Sequence, residues 1–219
     1  MVDLGTPTLG SDVHPAYDNP RPEVAALVPA GAKRVLDLGC STGRLGLGLV
    51  EKGHHVVGIE YDPEMAVVAR TRLAAVTQGD LEAMAAAGAD PGGPFDCVIA
   101  ADVLEHLRDP WSVVRWAAAL LDKNGVMVVS LPNVRHIETF WSLLRHRRWP
   151  YKSVGIFDRT HLRWFARANL PDLFDGTGLH IRSVGRVSML SLDVNSKWNR
   201  LAPHIGDWGT LQFLIVAGR

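Results

Sequence analysis

Short unbroken apolar runs alternate along the first two-thirds of the chain with segments whose apolar residues recur every three or four positions. The runs at residues 35–38, 55–60, 75–78, 95–101 and 126–130 predict strands, most of them apolar enough to be buried on both faces. The segments between them predict helices, and strand–helix alternation of this kind builds a parallel sheet with helices on each side. Boundary residues agree with the periodicity. Gly53 ends the helix that begins near Gly43. Asp62-Pro63-Glu64 and Asp109-Pro110 open two more, with Asp as N-cap and Pro in the first turn. Later in the chain, residues 134–146 and 169–176 predict helices, while 182–190 and 211–217 predict an antiparallel strand pair joined by a long loop. Residues 1–22 carry prolines at 7, 15, 20 and 22 with little periodicity, and read as an extended arm or lid ahead of a short helix over 23–28.

The first strand runs into Asp37-Leu38-Gly39-Cys40-Ser41-Thr42-Gly43 and then into a helix with Leu45, Leu49 and Val50 on one face. Two glycines there allow a sharp turn and a close approach of backbone to a ligand. Asp37 lies within the strand, where a buried carboxylate needs a partner. The second strand ends on Glu60, about 20 residues beyond the turn, the position from which a carboxylate accepts ribose hydroxyls in nucleotide-binding α/β folds. The turn is not the G-x-G-x-x-G fingerprint, because position 41 is Ser, and no Gly-Lys-Ser/Thr follows to make a P-loop.

This stretch resembles the nucleotide-binding loop of the class I S-adenosylmethionine-dependent methyltransferases, with Asp37, Gly39, Ser41 and Gly43 in the family's places. The likeness extends through Glu60, Asp80, the end of the fourth strand at Asp102, and the Leu131-Pro132-Asn133 that closes the fifth. It implies a doubly wound, seven-stranded Rossmann-like α/β sheet of strand order 3-2-1-4-5-7-6, strand 7 antiparallel. It also implies S-adenosylmethionine as methyl donor. Asp37, Gly39, Cys40, Ser41 and Gly43 would form the loop against it, Glu60 would take the ribose, Tyr61 would lie on the adenine, and Asp80 with the backbone of Leu81 would bind the adenine amino group. Asp102 would face the methyl end, and Tyr17 and Arg21 of the arm would fold over the cofactor.

Length and composition narrow the picture further. With 219 residues, the chain reads as one methyltransferase domain over 1–219. Twenty-three basic and 23 acidic residues balance, which argues against nucleic acid as a partner. Cys40 and Cys97 are too few and too far apart for a disulfide framework or a zinc site. No apolar run approaches the length of a membrane span, so the expectation is a cytoplasmic protein without a membrane partner.

Residues 134–167 differ from the rest. They hold eight Lys or Arg, two acids and seven aromatics. Aromatic faces stack on sugars and Arg forks bind hydroxyls or phosphates, so the segment reads as an acceptor-binding insertion within the domain. Its Gly155-Ile156-Phe157-Asp158-Arg159-Thr160-His161 stretch resembles a methyltransferase subgroup associated with bacterial carbohydrate pathways, which implies O-methylation of a sugar, oligosaccharide or glycosylated metabolite. A phenolic, quinone-like molecule or an amino-sugar nitrogen is the alternative acceptor, and a non-catalytic cofactor-binding regulator the alternative of another class. A hydroxyl acceptor must lose a proton, and His136, His161 and His106, in that order, are the candidate bases. Oxygen ligands at Asp102, Glu105 and Asp158 would suit Mg²⁺. A homodimer would cover the arm and the exposed aromatics.

Overall fold

Strands β1 (Arg34–Leu38), β2 (His55–Glu60), β3 (Ala75–Gln78), β4 (Phe95–Ala101) and β5 (Leu121–Pro132) all run parallel, each paired with its neighbour in the sheet, while β7 (Thr210–Gly218) runs antiparallel to both β5 and β6 (His180–Ser188). The sheet order is β3-β2-β1-β4-β5-β7-β6, as the resemblance implied. This is a computed structural model, and it describes residues 18–188 and 206–219.

The central strands are apolar on both faces because both are covered. Leu36, Leu38, Val98, Ala100, Met127 and Val129 pack with Val113, Val114 and Ala117 of helix α5 (Pro110–Ala119) and with Leu81 of α4 (Leu81–Ala87). Their neighbours in sequence, including Val35, Cys97, Ile99 and Val128, turn to the other face. There they meet Val24 of α1 (Pro22–Ala25), Leu45 and Leu49 of α2 (Arg44–Val50), and Ala69 of α3 (Pro63–Ala69). Asp62 caps α3 by accepting the N–H groups of Glu64 and Met65, as the sequence required.

Several boundaries differ from the sequence reading for physical reasons. Strand β5 is longer, because Leu121 already pairs with Phe95 and residues 122–125 then bulge before Val126 meets Cys97. The helix expected from residue 134 begins later, as α6 (Ile137–His146). Asn133 and Val134 are held by bonds to the loop before β7 and to Phe165, so the chain cannot coil until His136. The helix expected over 169–176 is instead two 3₁₀ turns, Arg167–Asn169 and Pro171–Phe174, since Pro171 has no N–H to give. Most of the long loop before β7 lies outside the described residues. Among the described residues no helix is long and apolar enough to cross a membrane.

Candidate active site

The carboxyl ends of β1 and β4 separate where the sheet reverses its direction of winding, and a crevice at that point is where α/β folds bind ligands. Here it opens into a cavity of about 860 Å³. One wall is the turn after β1. Gly39 stands at φ +66°, and a Cβ there would come within 2.7 Å of Val103 Cγ2, so only glycine fits. Ser41 is also left-handed, at φ +51°. Its N–H donates to Glu60 Oε2 at 2.7 Å, and the N–H of Asp62 donates to Oε1 of the same carboxylate at 2.9 Å. Glu60 thereby ties the turn to the end of β2 while facing the cavity.

Asp37 and Cys40 line the same wall, buried. Burial, reinforced by the nearby Glu60 charge, pushes the Asp37 carboxyl up to about 7. Burial drives the Cys40 thiol far above its ordinary range, which leaves it an inert packing group. Asp80 caps α4 through the N–H groups of Glu82 and Ala83, and it and Leu81 line the cavity beside the exposed ring of Tyr61. Gly43 does not line it. At φ +76° it is the N-cap of α2, and a Cβ there would press on the Ala69 backbone of α3 at 3.2 Å. Its glycine serves helix packing, not the ligand approach expected from the sequence.

The segment before α1 closes one side. Arg21 forms an ion pair with Asp102, and its Nη2 donates to Ser130 Oγ at 2.9 Å and to Gln212 Oε1 at 3.1 Å. Asp102 sits at φ +53°, a strained backbone held by bonds from Ser130 and Gln212. Nearer the chain's start, Asp18 accepts from Thr42 Oγ1 and Arg72 Nη1, both at 2.6 Å, and so pins the arm to the glycine turn. Asp18 and Gln212 carry no motif and escaped the sequence reading. Tyr17 lies outside the described residues.

Two imidazoles line the same cavity. His106 ends the 3₁₀ turn Leu104–His106 after β4, and His161 comes from the loop after α6. Their rings meet edge to face with centroids 4.8 Å apart, and both line the cavity. Burial lowers the pKa of each. Asp158 partly opposes this in both, while His106 adds to it at His161. Both rings are therefore neutral at neutral pH and offer a lone pair. Glu105, fully buried beside them, is pushed up to about 8 by burial, and its Oε2 meets no hydrogen-bond partner. Nδ1 of His161 is likewise unpartnered.

His136, the first candidate for a base, is placed elsewhere. It is 1% exposed, does not line the cavity, and caps α6 by accepting the Glu138 N–H on Nδ1 at 3.3 Å. Its sequence position four residues past the end of β5 and just before an amphipathic helix suits a cap as well as a base, and the structure uses it as a cap. From residues 134–167, the stretch 154–161 reaches the cavity, whereas Phe140, Trp141 and Leu144 of α6 are exposed and do not line it.

For a metal, Asp102 is already engaged by Arg21, so the Asp102–Glu105–Asp158 set expected for Mg²⁺ is not offered. Among the described residues the group with ligand atoms mutually within 4.8 Å is Glu105, His106 and His161. Two imidazoles and one carboxylate suit ions such as Zn²⁺ and fit the oxygen-seeking Mg²⁺ poorly.

A profile of methyltransferase domains matches residues 13–184. A ubiquinone biosynthesis O-methyltransferase from Xanthomonas axonopodis pv. citri is 38% identical over 112 residues, 50% of this chain and 46% of that protein. Another, from Aeromonas salmonicida, is 30% identical over 161 residues, 71% of this chain and 66% of that protein. The chain spans about half the length of most such relatives. Among solved structures, magnesium protoporphyrin IX methyltransferase from Synechocystis PCC 6803, with bound S-adenosylhomocysteine, superposes with a TM-score of 0.64 at 18% identity, over 93% of this chain and 83% of that one. A methyltransferase from Thermotoga maritima described as a possible histamine N-methyltransferase gives 0.64 at 19% identity, over 93% and 88%. These structural likenesses concern the fold.

Proposed function

The chain belongs to the methyltransferase-domain family, and on that premise we propose that it transfers a methyl group from S-adenosylmethionine to a hydroxyl of a phenolic, quinone-like small molecule. One observation carries the reading: a single cavity is lined both by the nucleotide-type residues Gly39, Ser41, Glu60 and Asp80 and by the neutral pair His106–His161. The sugar acceptor expected from the sequence is withdrawn. Relatives 30–38% identical are named for ubiquinone biosynthesis, and the α6 aromatics that would have stacked on a sugar do not line the cavity. The likeness of residues 155–161 to a carbohydrate-pathway subgroup falls with it.

S-Adenosylmethionine supplies a methyl carbon on a sulfonium, which leaves as a neutral thioether. The protein's part is to hold both reactants and to manage one proton. The turn at Gly39–Ser41 presents backbone without a Cβ in the way, Glu60 offers carboxylate oxygens toward a ribose, and Asp80 and Leu81 close the adenine side. Arg21 and Asp102 shut the mouth near the end of β4. An ordinary phenol ionises near pH 10, so at neutral pH the acceptor oxygen needs a base as it attacks. The histidine pair is that base, and positioning the oxygen in line with the methyl supplies the rest.

The donor half is tested by calorimetry with S-adenosylhomocysteine. The wild type should bind, and Glu60→Ala should bind about tenfold or more weakly, because a charge-assisted bond to the ribose is lost and the Ser41 and Asp62 N–H groups lose their acceptor. Equal affinity in the two proteins would remove Glu60 from the donor site.

A further inference from the structure

Helix α6 is folded with its polar side inward. Its apolar residues Ile137, Phe140, Trp141 and Leu144 recur at i, i+3, i+4 and i+7, which puts them on one stripe. A surface helix of a globular protein ordinarily turns such a stripe to the core. Here all four are between 44% and 64% exposed, and Leu143 beside them is exposed too. The residues that α6 buries are Thr139 and Ser142, and among the described residues none of its side chains joins the hydrophobic core on either face of the sheet. Trp208, from the 3₁₀ turn Gly206–Gly209, tilts against Phe140 with ring centroids 4.8 Å apart. It is itself exposed, so it widens the apolar surface and does not cover it.

The charges bordering the stripe have one sign. Arg145, Arg147 and Arg148 cluster at the end of the helix and Arg135 precedes its start, all exposed. None of the four has an acidic partner among the described residues. Glu138, the acid of the helix, is paired with Lys152 at 2.8 Å. Ser142 holds the turn that carries the arginines: its Oγ donates to the Arg148 carbonyl at 2.9 Å, and its own carbonyl accepts the Arg147 N–H. The helix dipole favours cations at the C-terminal end, but it disfavours Arg135 before the first turn. In a chain whose charges balance overall, this is a local cationic excess around an apolar stripe.

An anionic lipid surface complements both features. Aromatic and leucine side chains enter the boundary between headgroups and acyl chains, while guanidinium groups stay at the lipid phosphates. Nucleic acid would pair with the arginines but leave Ile137, Leu143 and Leu144 in water. A second copy laid on the stripe would bring a like-charged segment against it. We propose that α6 docks the protein on the surface of an anionic bilayer, with Ile137, Phe140, Trp141 and Leu144 below the headgroups and Arg145, Arg147 and Arg148 on the phosphates. No spanning segment is needed for this, since a helix of this kind lies in the interface. The docking replaces the expectation of a protein without a membrane partner, which followed from the lack of a spanning run. It goes beyond the methyl-transfer reading and does not depend on it.

The test is sedimentation of the protein with vesicles of phosphatidylcholine alone and of equimolar phosphatidylcholine and phosphatidylglycerol. The wild type should sediment with the anionic vesicles, weakly with the neutral ones, and less as salt is raised. Trp141→Ser with Leu144→Ser, and Arg145→Gln with Arg148→Gln, should each weaken partitioning about tenfold or more. All four side chains are exposed, so both double variants should keep the wild-type circular dichroism and affinity for S-adenosylhomocysteine. Brominated acyl chains should quench part of the wild-type tryptophan emission, and that part should vanish in Trp141→Phe. A wild type that ignores anionic vesicles, or double variants that bind them as well as wild type, would overturn the proposal. So would a dimer in ultracentrifugation that the Trp141→Ser, Leu144→Ser variant dissolves, which would make a second copy the occupant. Trp141 emission already typical of a buried ring without lipid would overturn it as well, because residues of the same chain would then cover the stripe.

Discussion

Asp37 shows how one buried carboxyl can tax the fold and serve the site together. It is 3% exposed in β1, one strand away from Glu60, and its carboxyl is raised to about 7. Glu105, at 1% exposure, is raised to about 8. In the unfolded chain both ionise near pH 4. Since the folded values lie above the unfolded ones, the folded state binds more protons between pH 4 and about 7 or 8. Stability is therefore full below pH 4 as far as these two groups go, and falls as pH rises through 7. The cost of ionising Asp37 in place is on the order of 4 kcal/mol as an upper figure. The thermal midpoint of the unliganded protein should drop between pH 5 and 8, and the drop should flatten in an Asp37→Asn, Glu105→Gln double variant. Scanning calorimetry across that range checks this, and an equal slope in both proteins would refute it. The same carboxyl that costs stability stands in the donor wall, where a cationic ligand would favour its ionised form.

Among the secondary-structure elements, the amphipathic helix α6 illustrates where sequence reading succeeds and where it stops. Strands β1 to β4 and the helices between them were legible because apolar runs, Asp-Pro openings and glycine stops all act locally. The glycine turn and Glu60 were legible for the same reason: their spacing follows from a strand of fixed length, one helix and one more strand. What was not legible depends on contacts from far along the chain. His136 has the position of a base but becomes a cap because Asn133 is anchored to Asp207 and Thr210, some 75 residues away, so that helix α6 starts one residue after the histidine. The pairing of His106 with His161 spans 55 residues, with α5, β5 and α6 between them, and nothing in either local stretch announces it. The turn in which Asp158 accepts the Thr160 hydroxyl could have been noticed as Asp-x-Thr before a histidine, though not its contact with His106. If His136 is a cap, His136→Ala should lower stability by about 1 kcal/mol, read as a lower denaturant midpoint, while kcat per folded protein stays within about twofold of wild type. A loss of turnover on the scale of a missing general base would return His136 to the active site.

For the whole molecule, the order of strands decides where chemistry can happen. The reversal between β1 and β4 opens the crevice, and residues after β1, β2, β3 and β4 line it together with the loop after α6. Arg21 bridges distant parts of the chain, since its partners are Asp102, just past β4, Ser130 of β5 and Gln212 of β7. The cavity is thus built by elements from most of the sequence. The most direct test of its assignment is transfer of an isotopically labelled methyl group from S-adenosylmethionine to a panel of catechols and hydroquinones, followed by mass spectrometry of the products. The account predicts a single added methyl on a phenolic oxygen, with the label retained and one S-adenosylhomocysteine formed per methyl. A protein that binds S-adenosylmethionine yet labels no phenolic hydroxyl in the panel would contradict it.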